Sequence, residues 1–149
     1  IIEKMVVKLT SYHNAHGIIH SYNRRIGCAL SEEQLSEWID KILKIGDPLA
    51  IIKHENIVAF LLLYCNKFDT LEAYICNVYV EEQFRGCKLS KILVEEAIAI
   101  CKSRNFKTVN LDVAENNIAA IKVYSQCGFV ETDRYFREND IFLRMTYTL

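Results

Sequence analysis

Apolar positions recur along the chain in two rhythms, one close to every third or fourth residue and one at every second residue. These are the periods of helices and of half-buried strands. Residues 5–9 form a short, mostly apolar run that reads as a first strand. Thr10 or Ser11 then offers a cap for a helix reaching about residue 24, with Tyr12, Ala15, Ile18, Ile19 and Tyr22 on one face. Residues 23–30 read as a loop. Ser31-Glu32-Glu33-Gln34 has the form of a capping box, in which the Ser and Gln side chains satisfy backbone N–H groups at a helix start. Leu35, Trp38, Ile39 and Ile42 follow at helical spacing. Gly46 is expected in the left-handed conformation that closes many helices, with Asp47-Pro48 as the stop.

The rhythm then changes to strands over residues 49–53, 57–65 and 70–80, separated by turns at 54–56 and 66–69. Such short connections make antiparallel neighbours. The run 57–65 is apolar throughout and calls for cover on both faces. A helix is expected over about 89–104, burying Leu89, Leu93, Ala97 and Ile100, then a strand over 108–113 in which Val109, Leu111 and Val113 alternate. The unit 70–113 should be a right-handed parallel crossover. A further helix over 117–126 ends at Gly128, and strands 129–136 and 141–148 form a hairpin around Glu138-Asn139-Asp140. The order β-α-α-β-β-β-α-β-α-β-β predicts an α/β fold: a mixed, mostly antiparallel sheet of about seven strands flanked by about four helices. It lacks the regular alternation of a dinucleotide-binding sheet.

Composition narrows the function. A chain of 149 residues with no repeat or linker is expected to form one domain, 1–149. The formal net charge is −1, which gives no basic field for nucleic acid or an anionic membrane, so neither is an expected partner. The six cysteines contain no C-x-x-C pair, and read as reduced thiols in a cytoplasmic protein. A signal peptide is not expected, because no basic stretch precedes a long apolar run at the N-terminus. The longest apolar run, 57–65, is too short to span a bilayer as a helix. The chain starts with Ile1, so translation is expected to begin upstream or at Met5.

Candidate chemistry concentrates in residues 78–129. A strand ending near Val80 leads through Gln83-Phe84-Arg85-Gly86-Cys87-Lys88-Leu89-Ser90 into a helix. A strand–turn–helix junction aims free backbone N–H groups at one point, where the helix dipole adds partial positive charge, and so cradles phosphate. Gly86 permits close backbone approach, and Arg85, Lys88 and Lys91 supply cations. A plain turn with solvated charges explains this stretch about as well on its own. One strand later comes Asn117-x-x-Ala120-x-x-x-Tyr124-x-x-x-Gly128-Phe129, which sets Asn117, Ala120 and Tyr124 on one helical face.

With these two motifs and this order of elements, the chain resembles the GCN5-related N-acetyltransferases (GNAT), specifically over residues 70–130 and in architecture alone before that. Arg85 matches the first position of the family's R/Q-x-x-G-x-G/A turn. Lys88 stands where the first glycine is expected, and Ser90 where a glycine or alanine is. The Lys88 side chain would either crowd a pyrophosphate or turn outward and pair with it, and the second is preferred.

The resemblance implies acetyl-coenzyme A as co-substrate and no metal. It implies that the backbone at Val78 and Val80 pairs with the pantetheine arm. The turn amides of Arg85, Gly86, Cys87, Lys88, Leu89 and Ser90 would hold the pyrophosphate, Asn117 would touch the cofactor, and Tyr124 would stand near its sulfur. Tyr124 is the candidate general acid for the leaving thiolate, against the alternative of a core tyrosine. Glu72, placed by the period of two on one strand face with Tyr74, Cys76, Val78 and Val80, is the candidate base, against an exposed strand residue or a water chain. The activity expected is transfer of an acetyl group to a primary amine of a small molecule by direct attack in a ternary complex. Alternatives are a protein or peptide acceptor, or a non-catalytic acyl-CoA sensor. The acceptor is expected between the 23–30 loop and the hairpin near 137–140. A homodimer is among the assemblies the resemblance implies. His13, His16 and His20 share a helical face, but no carboxylate is fixed beside them, and a solvated face is the preferred reading.

Overall fold

A computed structural model of the protein describes residues 6–10, 17, 30–86 and 88–149. Of the helix expected over 11–24 only Gly17 is described; the histidines at 13, 16 and 20, residues 23–29 of the expected loop, Cys28 and Cys87 lie outside the described residues.

Seven strands form one sheet: β1 (Val6–Lys8), β2 (Asp47–Lys53), β3 (Asn56–Tyr64), β4 (Glu72–Val80), β5 (Thr108–Ala114), β6 (Val130–Arg137) and β7 (Asp140–Thr148). Their spatial order is β1-β2-β3-β4-β5-β7-β6. All neighbouring pairs are antiparallel except β4 and β5, which are parallel. Three helices are described: α1 (Glu32–Ile45), α2 (Leu89–Ser103) and α3 (Ile118–Cys127). The mixed, mostly antiparallel α/β sheet expected from the sequence is present. Among the described residues, no helix is long and apolar enough to cross a membrane.

Local chemistry sets the boundaries. At the start of α1, Gln34 N donates to Ser31 Oγ (3.1 Å) and Ser31 N donates to Gln34 Oε1 (3.0 Å), the reciprocal box that the sequence announces. At its end Gly46 is not left-handed: its φ of −108° and ψ of 173° are extended, and Asp47 already belongs to β2. The need for glycine there is spatial. A Cβ would lie 2.9 Å from the Ile42 carbonyl oxygen and 3.3 Å from that of Leu63. The β2–β3 and β6–β7 hairpins turn through pairs of residues with positive φ, His54-Glu55 and Glu138-Asn139, the backbone that matches the twist of paired strands.

Two cores lie on opposite faces of the sheet. Ala73, Ile75, Leu61, Leu63, Leu111 and Val113 meet Leu93, Val94 and Ala97 of α2. On the other face Leu35, Ile39 and Ile42 of α1 meet Ala50, Phe60 and Leu62. β3 therefore contributes to both, as its unbroken apolar run requires. Asp47 is the one charged residue buried among those described, at 4% exposure. Arg104, just past α2, donates to both its oxygens (2.6 and 2.8 Å) and to the Cys65 carbonyl (3.0 Å), and Lys8 Nζ lies 2.7 Å from the same carboxylate. Burial pushes the Asp47 carboxyl up, but the bonds from Arg104 and Lys8 outweigh it and hold the group below the usual carboxylate range.

One irregularity shapes everything downstream. In the β3–β4 ladder Leu62 faces Asn77 while Leu63 faces Ile75, so Cys76 is an extra residue in a bulge. A bulge shifts the period of two by one. Val78 and Val80 accordingly share the α2 face with Ala73 and Ile75, while Asn77 and Tyr79 stand opposite Leu62 and Phe60 on the α1 face. The expectation that Glu72, Tyr74, Val78 and Val80 line one face is corrected: Glu72 and Tyr74 lie on the α1 face and the two valines on the other.

Candidate functional site

The parallel pairing of β4 with β5 runs from Glu72–Thr108 only to Ile75–Leu111. Beyond it the two strands part, β4 continuing to Val80 and β5 to Ala114. On this side the backbone of β4 past the bulge has no ladder partner, while its other side stays paired with β3 through Ala59–Val80. An open strand edge inside a sheet is a place where an extended ligand can be hydrogen-bonded as an additional strand.

A cleft of about 400 Å³ fills this gap, lined by Val78, Tyr79, Val80, Arg85, Ser90, Asn117, Ala120 and Tyr124 among others. It shares Val80, Arg85, Ser90 and Val123 with a second hollow of about 660 Å³ that carries Gly86, Lys88, Lys91 and Lys122. Together they make one groove, narrow and partly apolar at Tyr124, wide and cationic at the turn. The structure thus brings together Val78, Val80, Arg85, Gly86, Lys88, Leu89, Ser90, Asn117 and Tyr124, residues the sequence singled out from two separate motifs.

At the wide end a short 3₁₀ turn, Glu82–Phe84, leads into Arg85 and Gly86, whose φ is 82°. The first intrahelical bond of α2 runs from Ile92 N to Lys88 O (3.2 Å), and no side chain caps this terminus. The amides of Leu89, Ser90 and Lys91 precede that bond and are open to a ligand. By contrast α3 is capped from within, Ala120 N donating to Asn117 Oδ1 at 3.2 Å. Asn117 therefore reaches the groove as a helix cap as well as a lining residue. Arg85 Nε donates to the Val80 carbonyl (3.2 Å), which fixes its guanidinium at the end of β4. Uncapped amides, a helix dipole and four cations fit a pyrophosphate group.

Lys88 occupies the position where a glycine was expected, and does so in glycine's conformation, φ 62° and ψ 21°. The left-handed backbone costs a non-glycine residue about 1–2 kcal/mol. Its side chain is exposed on the wall of the hollow.

At the narrow end Tyr124 is partly buried against Phe129, ring centroids 6.1 Å apart. Among the described residues its hydroxyl has no hydrogen-bond partner, although it lines the cleft. Burial, followed by the nearby Cys127, pushes its phenol up to about 12, so it carries its proton at neutral pH. Glu72 is not brought to this place. It is exposed, sits at the opposite end of β4 some six residues from Val78, roughly 20 Å along an extended strand, and lines neither part of the groove. Cys87 lies outside the described residues, and among those described no cluster of His, Cys, Asp or Glu could hold a metal ion.

Sequence reasoning missed a polar cluster where β4 and β5 part, on the α1 face. Tyr74 Oη donates to Asp112 Oδ2 (2.7 Å), and Arg144 holds the same carboxylate through Nε (2.6 Å) and a terminal nitrogen (3.0 Å). A signal was present: the alternation of Val109, Leu111 and Val113 in β5 sends Asn110 and Asp112 to the other face.

The sequence matches the Acetyltransferase (GNAT) family over residues 15–129. An uncharacterized N-acetyltransferase of Dictyostelium discoideum is 36% identical over 73 residues, 46% of this chain and 34% of the relative; the chain spans only about a third of that protein. A putative acetyltransferase of Acinetobacter baylyi shares the fold with a TM-score of 0.81 at 18% identity, over 97% of this chain and 92% of that one. A putative streptothricin acetyltransferase of Bacillus anthracis, solved in complex with acetyl coenzyme A, gives 0.63 at 24% identity, over 70% of this chain and 63% of that one. Over more than half its length, and with the groove that its two motifs build, the chain belongs to the GNAT acetyltransferase family.

Proposed function

We propose that the protein is an acetyl-CoA-dependent N-acetyltransferase acting on a primary amine of a small molecule, by direct attack in a ternary complex. The observation that supports this most is the joining, in one groove, of an open β4 edge, an uncapped cationic helix start and a protonated phenol. Acetyl-CoA would supply an activated acyl group as a thioester. The amides of Leu89, Ser90 and Lys91, with Arg85, Lys88 and Lys122, would bind its pyrophosphate, and the β4 edge at Val78 and Val80, beyond its pairing with β5, its extended arm.

The chain's own chemistry is then proton management. An amine resembling lysine has a pKa near 10.4, so its ammonium must lose a proton before it can attack. Glu72 lines neither part of the groove, and solvent at the open face is assigned the role. As nitrogen bonds to the acyl carbon and the C–S bond breaks, the leaving thiolate, with a pKa near 8.5, takes the Tyr124 proton, and the proton shed by the newly bonded nitrogen restores the phenol, leaving amide and free thiol. General acid help of this kind is worth ~10²–10⁴-fold.

Calorimetric titration with acetyl-CoA and with CoA, followed by thiol-release assays on panels of small amines and of peptides, tests the reading. Saturable binding with transfer to a small amine supports it. Transfer to peptides alone moves the acceptor to the protein class, and binding without transfer to any amine leaves an acyl-CoA sensor.

A further inference from the structure

β6 closes one side of the sheet, and among the described residues no strand lies beyond it. Every residue of β6 except Tyr135 is exposed, and Phe136 is 76% exposed, more than any other large apolar side chain described. The open edge of a sheet is a template for another strand, and proline or charge normally blunts it. β6 carries no proline, and its charges are ordered so that they match their own reverse.

We infer that β6 pairs antiparallel with β6 of a second copy of this chain, centred on Tyr135, so that two sheets become one. The backbone phase allows it. The two-residue turn Glu138-Asn139 makes Arg137 and Asp140 its closing hydrogen-bonded pair. Alternation from there turns the backbone groups of Tyr135 and Asp133 toward β7, and those of Arg134 and Phe136 outward. The Arg134 amide accordingly donates to Asp133 Oδ1 beside it, at 2.8 Å.

The side chains then choose the register. Asp133, Tyr135 and Arg137 lie on the α1 face, and Arg134 and Phe136 on the α2 face with Leu143. With Tyr135 opposite its own copy, Asp133 meets Arg137 of the partner subunit and Arg134 meets Phe136 of the partner subunit, each contact occurring twice. Opposite charges face one another, and a guanidinium faces an aromatic ring. Arg134 is already held in place by Glu131 and Glu115. Asp133 exchanges the Arg134 amide for the partner's Arg137, which releases that amide to the carbonyl of the partner's Phe136. Other registers are worse. Sliding the partner by two residues sets Arg134 against its own copy, and by four sets Asp133 against its own copy, like charges both times. Sliding two residues the other way leaves only 135–137 paired before the turn. The pairing is independent of the reaction that the groove carries out.

Sedimentation velocity over a concentration series reads the association. Wild type is expected to double its mass in the micromolar range, as a small interface does. Raising salt from about 0.05 to about 0.5 M should weaken that dimer, because its charge pairs are exposed. Phe136→Pro deletes an outward N–H and leaves the β7 ladder whole; with two such bonds lost per dimer, the dissociation constant should rise about tenfold. Asp133→Arg and Arg137→Asp should each weaken the dimer about tenfold or more, since each sets like charges opposite one another twice. Mixed in equal amounts, these two charge variants should regain the wild-type mass, because each then meets its opposite; circular dichroism melts check that each is folded first. A wild type that stays monomeric up to about 1 mM, or whose dimer ignores both salt and Phe136→Pro, overturns the inference. So does a mixture of folded charge variants that stays monomeric.

Discussion

Arg104 grips Asp47 with both terminal nitrogens, at 2.6 and 2.8 Å, and so ties the C-terminal end of α2 to the first residue of β2. The carboxylate is buried, and removing one partner leaves a charge that water cannot reach. Arg104→Ala should cost about 2–3 kcal/mol, less than a fully isolated pair because Lys8 remains. For a chain of this size that lowers Tm by roughly 5–10 °C. The pH dependence has a definite sign. The folded pKa of Asp47 is depressed, so its contribution is full above its ordinary value near 3.9 and is lost as pH falls through the folded value. Denaturant midpoints at pH 6 and pH 3 check this: the gap between wild type and Arg104→Ala should narrow at the lower pH.

Tyr124→Phe removes the proposed proton donor and little volume. Turnover should fall by ~10² or more with CoA affinity nearly unchanged, which steady-state kinetics and calorimetry would separate. With its phenol pushed up to about 12, Tyr124 should impose no alkaline limb on the rate profile below about pH 11. An alkaline limb that is present in wild type near pH 10 and lost in Tyr124→Phe would count against this assignment.

Lys88 carries two opposed effects that one substitution can divide. Lys88→Gly frees the left-handed backbone of its steric cost, set against the greater freedom of glycine in the unfolded chain, so stability should rise by up to about 1 kcal/mol. The same change deletes a cation from the wide end of the groove. CoA affinity should fall several-fold and its salt dependence should weaken, as seen by titration at two ionic strengths. A gain in affinity would mean that the side chain obstructs the pyrophosphate.

Gly46→Ala tests the correction at the end of α1. Its φ of −108° suits any residue, so strain is not at issue. The new Cβ would meet the Ile42 carbonyl oxygen at 2.9 Å, and backbone does not yield as a flexible side chain does. A loss of about 1–3 kcal/mol is expected by chemical denaturation, the cost of overpacking.

Much of this was legible in the chain. Capping at Ser31 and Gln34, the doubly covered β3 and the N-x-x-A-x-x-x-Y helix follow from local chemistry that neighbouring residues carry among themselves. Gly128 does take the left-handed conformation, with φ 105°. Gly46 defeats the same reasoning because the chain passes from α1 straight into β2, and its constraint is the closeness of the Ile42 and Leu63 carbonyl oxygens rather than a left-handed turn. The bulge at Cys76 was hidden for a related reason. β4 is apolar enough on both faces that a one-residue slip leaves no mark, so the period of two aligns Glu72 with Val78 and Val80. Tyr74, Asp112 and Arg144 sit on three strands, and only pairing brings them together.

β3 has a consequence for how the molecule comes apart. Leu61 and Leu63 belong to the layer under α2, and Phe60 and Leu62 to the layer under α1. Neither layer can melt without exposing the back of a strand that the other still needs. The two halves are thereby welded into one cooperative unit, and the amide protons of β3 should be among the last in the molecule to exchange with solvent.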